Sequence, residues 1–311
     1  MINNKEAKHW YAIHPDNLKT GEIKSIVFWW KKMILWKNSK WEYILQSKYC
    51  THFWVDLSKG SIKNDKIECS FHGSWFDEKW ENKHCLPKLK SYHVGVFLWI
   101  VWFFNGENVS YKLDDFLKEN WLHFSLQDYE IINTYHKTYP LPTAMLGSNF
   151  FDVNHFKKVH WVQICDYKIL EENKYLSFEF HGKYFPYFKI QKLLFKIIPN
   201  QIYSKSIYSK NCMISYNKLL SRSGKTIFEY YWIFPSTPIN ETETLVISNI
   251  LVKKWFFGML AKLFAKNILY KATTEEFDML TNMNIYIRNY TIWDELLKTY
   301  LDFYTKQYET L

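Results

Sequence analysis

Residues 48–77 read KYCTHFWVDLSKGSIKNDKIECSFHGSWFD. Cys50-Thr51-His52 is a C-x-H pair and Cys69-Ser70-Phe71-His72 is a C-x-x-H pair, with sixteen residues between His52 and Cys69. Two thiolates and two imidazoles presented by two short loops suit an asymmetric [2Fe-2S] centre, in which His replaces Cys on one iron and raises the reduction potential. Zinc accepts the same donors, so the bare ligand set leaves both metals open. The spacing separates them. Zinc motifs usually group Cys with Cys and then His with His, whereas here each loop carries one of each.

Outward from this stretch, composition bounds the rest. A chain of 311 residues has room for two ordinary domains. It is 48% hydrophobic and 20% aromatic, with only nine Gly and eight Pro, which makes a folded, core-rich protein and excludes a low-complexity one. The net charge of +9 comes mostly from Lys spread along the whole chain. No basic stripe or recognition helix accompanies it, so nucleic acid is not expected as a partner; a basic face can steer an acidic electron-transfer protein. The five cysteines show no disulfide framework spacing, and the N-terminus MINNKEAKHW lacks a signal-peptide pattern. Both point to a reducing, cytoplasmic setting. The longest apolar run, Val94 to Phe104, is too short to span a bilayer, and Trp255 to Tyr270, broken by two Lys, reads as an amphipathic helix.

His72 is followed by Gly73-Ser74-Trp75-Phe76-Asp77, and Gly60 lies between the two loops. Together with the ligand pairs this resembles the Rieske signature C-x-H, G, C-x-x-H-G-W-x-F-D. Thr51 stands where the family often has Pro or Arg, and the Trp arrives one residue late, at Trp75. The resemblance implies Cys50, His52, Cys69 and His72 as ligands of a [2Fe-2S] cluster. Residues 9–49 read as short strands separated by turn signals at Asp16-Asn17, Thr20-Gly21 and Asn38-Ser39, like the entry to the Rieske domain of oxygenases. Val96 to Phe104 reads as one buried strand ending at an Asn105-Gly106 turn, with Trp75, Trp99 and Trp102 assigned to core packing.

Beyond residue 126 a strand-like segment and a Pro-containing linker lead to Gly147-Ser148-Asn149-Phe150-Phe151-Asp152-Val153-Asn154-His155-Phe156-Lys157-Lys158-Val159-His160. Imidazoles suit iron, and two His with a carboxylate leave positions open for oxygen. On an ideal helix, however, residues five apart are about 140° apart, so the pair shares a metal only if the helix is distorted or the metal lies off its end. N-x-x-D-x-x-H-F-x-x-x-H downstream of a Rieske motif resembles the catalytic motif of Rieske non-haem iron oxygenases, most closely the branch with ketosteroid 9α-hydroxylases and cholesterol 7-desaturases. That resemblance implies His155 and His160 as ligands of a mononuclear Fe(II). It implies Asp152 as a carboxylate linking a cluster histidine to the iron across subunits of a head-to-tail homotrimer, and Asn149 as the matching Asn beside the site. The family's third ligand is an Asp four residues before a Trp; Ile292-Trp293 is present here, but that position is Asn289. Asn289 is read as the third metal ligand, with solvent or an impaired iron site as the alternatives.

The fold class expected is α+β: an N-terminal all-β Rieske domain over residues 1–120, then residues 121–311 as a catalytic domain, a helix-grip (START-like) antiparallel sheet with a long C-terminal helix. TIFEYYWIFPSTPINETETLVISNILVKK reads as two of its strands joined by a Pro loop. The resemblance implies a terminal oxygenase that uses O2 and electrons to hydroxylate or desaturate a hydrophobic, sterol-like or aromatic substrate. No nicotinamide or flavin motif is present, so NAD(P)H would act through a partner ferredoxin or flavin reductase. The competing reading is an electron-transfer or ligand-binding protein whose mononuclear site is lost.

Overall fold

The structure is a computed structural model; it describes residues 7–77, 87–115, 128–172, 174–184, 201–254, 279–281 and 295–309. Asn289, Trp293 and the 255–270 segment lie outside these residues. The chain divides into two compact units, one of Glu6–Leu113 with Thr237–Glu241, the other of Met1–Lys5, Asp114–Ser236 and Thr242–Leu311.

The first unit contains β1 (Trp10–Ile13), β2 (Ile23–Phe28), β3 (Lys31–Lys37), β4 (Tyr43–Ser47), β5 (Ser61–Lys63), β6 (Lys66–Glu68), β7 (Trp75–Phe76), β8 (Ser91–Phe97) and β9 (Ile100–Phe104). They make a six-stranded sheet in the order β1-β9-β8-β4-β3-β2 and a small sheet β5-β6-β7. Strand β3 shows why the two belong to one body. Its residues Met33 to Trp36 are fully buried, and alternation across a strand sends Met33 and Leu35 into a core with Tyr11, Phe28, Leu45 and Phe103. Ile34 points the other way, into a second core with Cys50, Leu57, Ile67, Cys69 and Phe76. Residues 237–241 join this unit through backbone pairing: Trp29 N donates to Pro238 O at 3.2 Å and Trp30 N to Ile239 O at 3.0 Å.

Two expectations for this region need correction. The run Val96 to Phe104 is not one strand but the two arms of a hairpin, turning at Leu98-Trp99 with φ of 53° and 63°. Two-residue hairpin loops with both φ positive normally use Asn-Gly or Asp-Gly, as Asn64-Asp65 nearly does between β5 and β6. Here apolar residues occupy the turn, so the turn leaves no composition signal. Trp99, assigned to the core, is consequently 78% exposed at the hairpin tip, whereas Trp102 is buried.

The second unit contains β10 (Tyr129–Tyr139), α1 (Thr143–Ser148), a 3-10 turn (Asn149–Phe151), α2 (Val153–Lys158), β11 (Val162–Glu172), β12 (Tyr175–Tyr184), β13 (Gln201–Ser209), β14 (Cys212–Leu220), β15 (Thr226–Pro238), β16 (Thr244–Lys253) and α3 (Glu295–Glu309). Strands β11 to β16 form an antiparallel meander, and β10 adds to it beside β16. The helical elements pack on one face, here called inner. Tyr300 of α3 contacts Tyr208 at 5.1 Å and stacks on Phe151 at 5.0 Å, and Phe150 contacts Trp232 and Phe234. The α+β class with a large antiparallel sheet and a C-terminal helix holds. The expected Pro loop does not: Pro235 to Pro238 continue β15, with Pro235 opposite Cys212, and the chain turns after them. Proline lacks only the donor, so it ends a strand by composition more often than by necessity.

Candidate metal centres

The two Cys–His loops are built alike. In the first, Cys50 N donates to Val55 O at 2.9 Å and Trp54 N donates to Cys50 O at 2.9 Å. In the second, Cys69 N donates to Ser74 O at 2.7 Å and Gly73 N donates to Cys69 O at 3.0 Å. Each loop therefore reverses on its own Cys, and the reversal needs a left-handed residue four positions later. Gly73 (φ 67°) supplies it in the second loop and Trp54 (φ 57°) in the first. Gly60 serves differently: a Cβ there would meet Glu68 O at 2.2 Å, so only glycine lets the strand after the first loop approach the second.

These turns bring the four predicted cluster residues together. The Nδ1 atoms of His52 and His72 lie 3.1 Å apart. Cys50 and Cys69 are 1% and 3% exposed, and their thiols lie in contact. Burial pushes the Cys50 thiol up, and the Cys69 thiol beside it adds to this against backbone donors from His52 and Phe53. A buried pair of thiolates needs a positive centre to be held ionised, while the two imidazoles are exposed. Buried sulfur on one side and exposed nitrogen on the other fit an asymmetric cluster. Phe53 and Phe71, both exposed, flank the imidazoles at 4.3 Å from His52 and 4.0 Å from His72.

The second motif sits on the short helix α2. Asp152 is its N-cap, its carboxylate accepting from Asn154 N at 3.0 Å and His155 N at 3.1 Å; this is the ordinary way to satisfy the first free N–H groups of a helix. The imidazoles of His155 and His160 converge, Nε2 to Nε2, at 3.2 Å. The pair meets at the end of the helix, whose regular part stops at Lys158. Val159 N bonds back to His155 O and His160 N to Phe156 O, so the last turn closes through His160, and the chain turns away at Trp161, whose φ is 52°. Both histidines are half-buried, and Phe156 packs against His160 at 5.6 Å. Two convergent imidazoles with a capping carboxylate three residues before them are donors that an Fe(II) ion accepts. Asn149 is buried one turn earlier, its carbonyl accepting from Asp152 N at 3.4 Å.

Four further polar residues of the same unit carry no motif. Ser204 and Ser206 on β13 and Ser215 and Asn217 on β14 sit on the inner face, opposite one another in register. All four are buried. Their alternation is legible in QIYSKSIYS and ISYN, where every second residue is small and polar between bulkier ones.

Residues 9–94 match the Rieske [2Fe-2S] domain family. Curated relatives share parts of the chain: the oxygenase component of 3-ketosteroid-9-alpha-monooxygenase from Mycolicibacterium smegmatis is 32% identical over 72 residues, 23% of this chain and 19% of that protein. The 4beta-methylsterol monooxygenase of Methylococcus capsulatus is 25% identical over 112 residues, 32% of this chain and 30% of that protein. The chain thus spans under a third of the length of these relatives. Solved structures match it throughout. Apo dicamba monooxygenase superposes with a TM-score of 0.75 at 13% identity over 97% of this chain and 98% of that one; NdmB of Pseudomonas putida CBB5 gives 0.70 at 14% identity, covering 98% and 92%. Among the described residues no helix is long and apolar enough to cross a membrane. The paired Cys–His loops and these likenesses lead to one statement: this chain carries a Rieske [2Fe-2S] domain at residues 9–94 and has the fold of the Rieske oxygenases.

Proposed function

We propose that this chain is the terminal oxygenase component of a Rieske system, acting on a hydrophobic substrate. The observation that carries the reading is the convergence of His155 and His160 at 3.2 Å behind the Asp152 cap, in a chain that also holds the Rieske ligands. Cys50, His52, Cys69 and His72 would hold a [2Fe-2S] cluster, whose chemistry is one-electron transfer at a raised potential. His155 and His160 would hold Fe(II), with Asn289 as the third ligand, and that ion would supply the reductive activation of O2 for hydroxylation or desaturation of a C–H bond.

The chain's own part is positional. Asp152 fixes the start of α2 and hence the direction of the His155 side chain, and Phe156 backs the His160 ring. Such outer contacts set imidazole orientation. By the sequence resemblance, Asp152 would also link the cluster of one subunit to the iron of the next in a homotrimer. A ferredoxin or flavin reductase carries electrons from NAD(P)H. The names of the relatives, a 3-ketosteroid and a 4beta-methylsterol monooxygenase, support a sterol-like substrate.

The test is metal analysis with EPR on anaerobically purified protein, before and after dithionite. About three irons per chain with a reduced Rieske signal is the expected result. Two irons with the same signal, not restored by added Fe(II), would refute the oxygenase and favour the electron-transfer or ligand-binding reading that Asn289 motivates.

A further inference from the structure

Each Cys–His loop sets a phenylalanine directly beside its histidine: Phe53 follows His52, and Phe71 precedes His72. The ring centroid of Phe53 lies 4.3 Å from that of His52, and the centroid of Phe71 lies 4.0 Å from that of His72. Adjacency in sequence accounts for those two contacts. It does not account for the next two, in which Phe53 reaches the other loop, 5.7 Å from His72 and edge-on to Phe71 at 6.5 Å. Two phenyl rings and two imidazoles, the latter 4.9 Å apart, make one ring group that spans both loops.

The phenyl rings are not there for the fold. Phe53 and Phe71 are 62% and 63% exposed, and neither joins the core that Cys50 and Cys69 share with Ile34, Leu57, Ile67 and Phe76. The loops themselves close through backbone bonds at Cys50 and Cys69, which any side chain at positions 53 and 71 would leave intact. A contiguous exposed apolar patch marks a place of contact or function. What these two rings contact is the imidazoles.

That contact has an electrostatic consequence for the group the four ligands fit. An oxidised [2Fe-2S] core with two thiolates and two neutral imidazoles carries no net charge, and the electron it accepts makes it an anion. Water stabilises an anion, and an apolar ring in its place does not. The potential of an iron–sulfur centre follows its net charge and solvent exposure, and the apolar shell around a site controls solvent access and the local dielectric. On the sulfur side water is already excluded, since Cys50 and Cys69 are buried. The imidazole side is the one open to water, and it is the side that Phe53 and Phe71 occupy.

We infer that Phe53 and Phe71 form an aromatic screen that sets the reduction potential of the cluster, holding it lower than the same four ligands would give with bare imidazoles. Phe53, in contact with both histidines, serves both halves of the screen. The inference rests on the cluster part of the reading above and not on the mononuclear iron.

The experiment is a redox titration of the full chain at pH 7, followed by the reduced Rieske EPR signal. It compares wild type with Phe53→Ala, Phe71→Ala and the double variant, and with Phe53→Leu and Phe71→Leu, which keep an apolar side chain at each position. Each Ala variant is expected to favour reduction about threefold, a rise of about 28 mV at 59 mV per tenfold for one electron, and the double variant more. The Leu variants should move less than half as far, and the thermal melts should stay with wild type because both positions lie outside the core. Should an Ala variant fail to assemble its cluster, Phe53→Ser and Phe71→Ser are read in its place; loss of the cluster from Ala and Ser variants alike would make the rings structural and overturn the inference. So would an unchanged or lowered potential in the Ala variants, or an equal rise in the Leu variants, with the Rieske signal intact and the cluster reading left standing. A wild-type chain with no Rieske signal would overturn both.

Discussion

Gly73 and Gly60 stand in one loop system for different reasons, and replacing each by Ala should separate them. At Gly73 a Cβ meets nothing closer than Glu68 Oε1 at 3.8 Å, so Gly73→Ala costs only its backbone conformation. The left-handed region costs an L-residue about 1–2 kcal/mol, and the stiffer unfolded chain returns about 0.4–1 kcal/mol. The net is about 1 kcal/mol, which for a domain of this size lowers Tm by roughly 4–8 °C. The cluster should still assemble, because Trp54 closes the equivalent turn at φ 57° with a side chain in place. At Gly60 the same methyl lands 2.2 Å from Glu68 O and 3.1 Å from Leu57 O, both backbone atoms. Neither can swing aside as a side chain would, so the contact is relieved only by moving the loop of Cys50 against the strand leading to Cys69. Gly60→Ala should therefore lose the Rieske absorbance and EPR signal, whereas Gly73→Ala keeps both and melts lower. Cluster content per chain and a thermal melt decide it. A Gly60→Ala protein with a full cluster, or a Gly73→Ala protein with none, would refute the steric account.

Asp152→Asn keeps a good N-cap and removes the charge, so its melting temperature should stay close to wild type while substrate-dependent electron transfer between cluster and iron slows; Asp152→Ala should also lose about 1 kcal/mol of stability in the melt. Tyr300→Phe deletes the hydroxyl that donates to Ala144 O at 3.0 Å in a fully buried setting. Losing this bond, made to a carbonyl that also lies within α1, should cost about 0.5–1.5 kcal/mol in denaturant titrations and loosen α1, seen as faster amide exchange through residues 143–148. Burial pushes the Glu229 carboxyl up, but hydrogen bonds from Lys253, Tyr129 and Tyr216 and the Lys253 charge outweigh it and hold its pKa below the usual range. A depressed folded-state pKa stabilises above the unfolded value near 4.5 and is lost as pH falls through the folded value. The stability gap between wild type and Glu229→Gln should accordingly shrink as pH drops below that value, and a gap that widened would contradict it.

The gathering of the four candidate cluster ligands was legible because it is local. Cys50 and His52 lie within one loop and Cys69 and His72 within another, so each pair is fixed by a few backbone angles that the motif itself encodes. The His155–His160 pair was half legible. The donors were visible, but they converge at the end of α2, and nothing in Lys158-Val159-His160-Trp161 is a helix stop signal of the Gly or Pro kind. The turn there is carried by Trp161, at φ 52°, another large residue in the left-handed region.

That habit explains most of what the sequence concealed. Trp29-Trp30, Trp54, Leu98-Trp99 and Trp161 all hold positive φ, where turn chemistry leads one to look for Gly, Asn or Asp. With only nine glycines in 311 residues, the chain closes many of its turns on aromatic residues and accepts the backbone cost. A left-handed bulky residue persists only where its surroundings over-determine it, and at Trp29-Trp30 the pairing to Pro238 and Ile239 does so. Hydrophobic periodicity therefore runs through the turns here instead of stopping at them, which is why Val96 to Phe104 read as a single strand. The buried polar block on the inner face of the second sheet was concealed for the opposite reason. Ser204, Ser206, Ser215 and Asn217 are ordinary residues in ordinary strand alternation, and only the register of β13 on β14 brings the Ser204/Ser206 pair against Ser215 and Asn217. Pairing between strands is non-local information. A reader of the sequence sees the alternation on each strand, but the coincidence of the two polar blocks is set by the Lys210-Asn211 turn, whose φ values of 46° and 63° fix a two-residue hairpin and with it the opposition of Ser206 to Ser215. Inserting one glycine after Lys210 should therefore slip one strand against the other, turn one polar block off the inner face, and lower the thermal melt of the second unit while the first unit keeps its cluster signal; an unchanged melt would show that the sheet does not depend on this register.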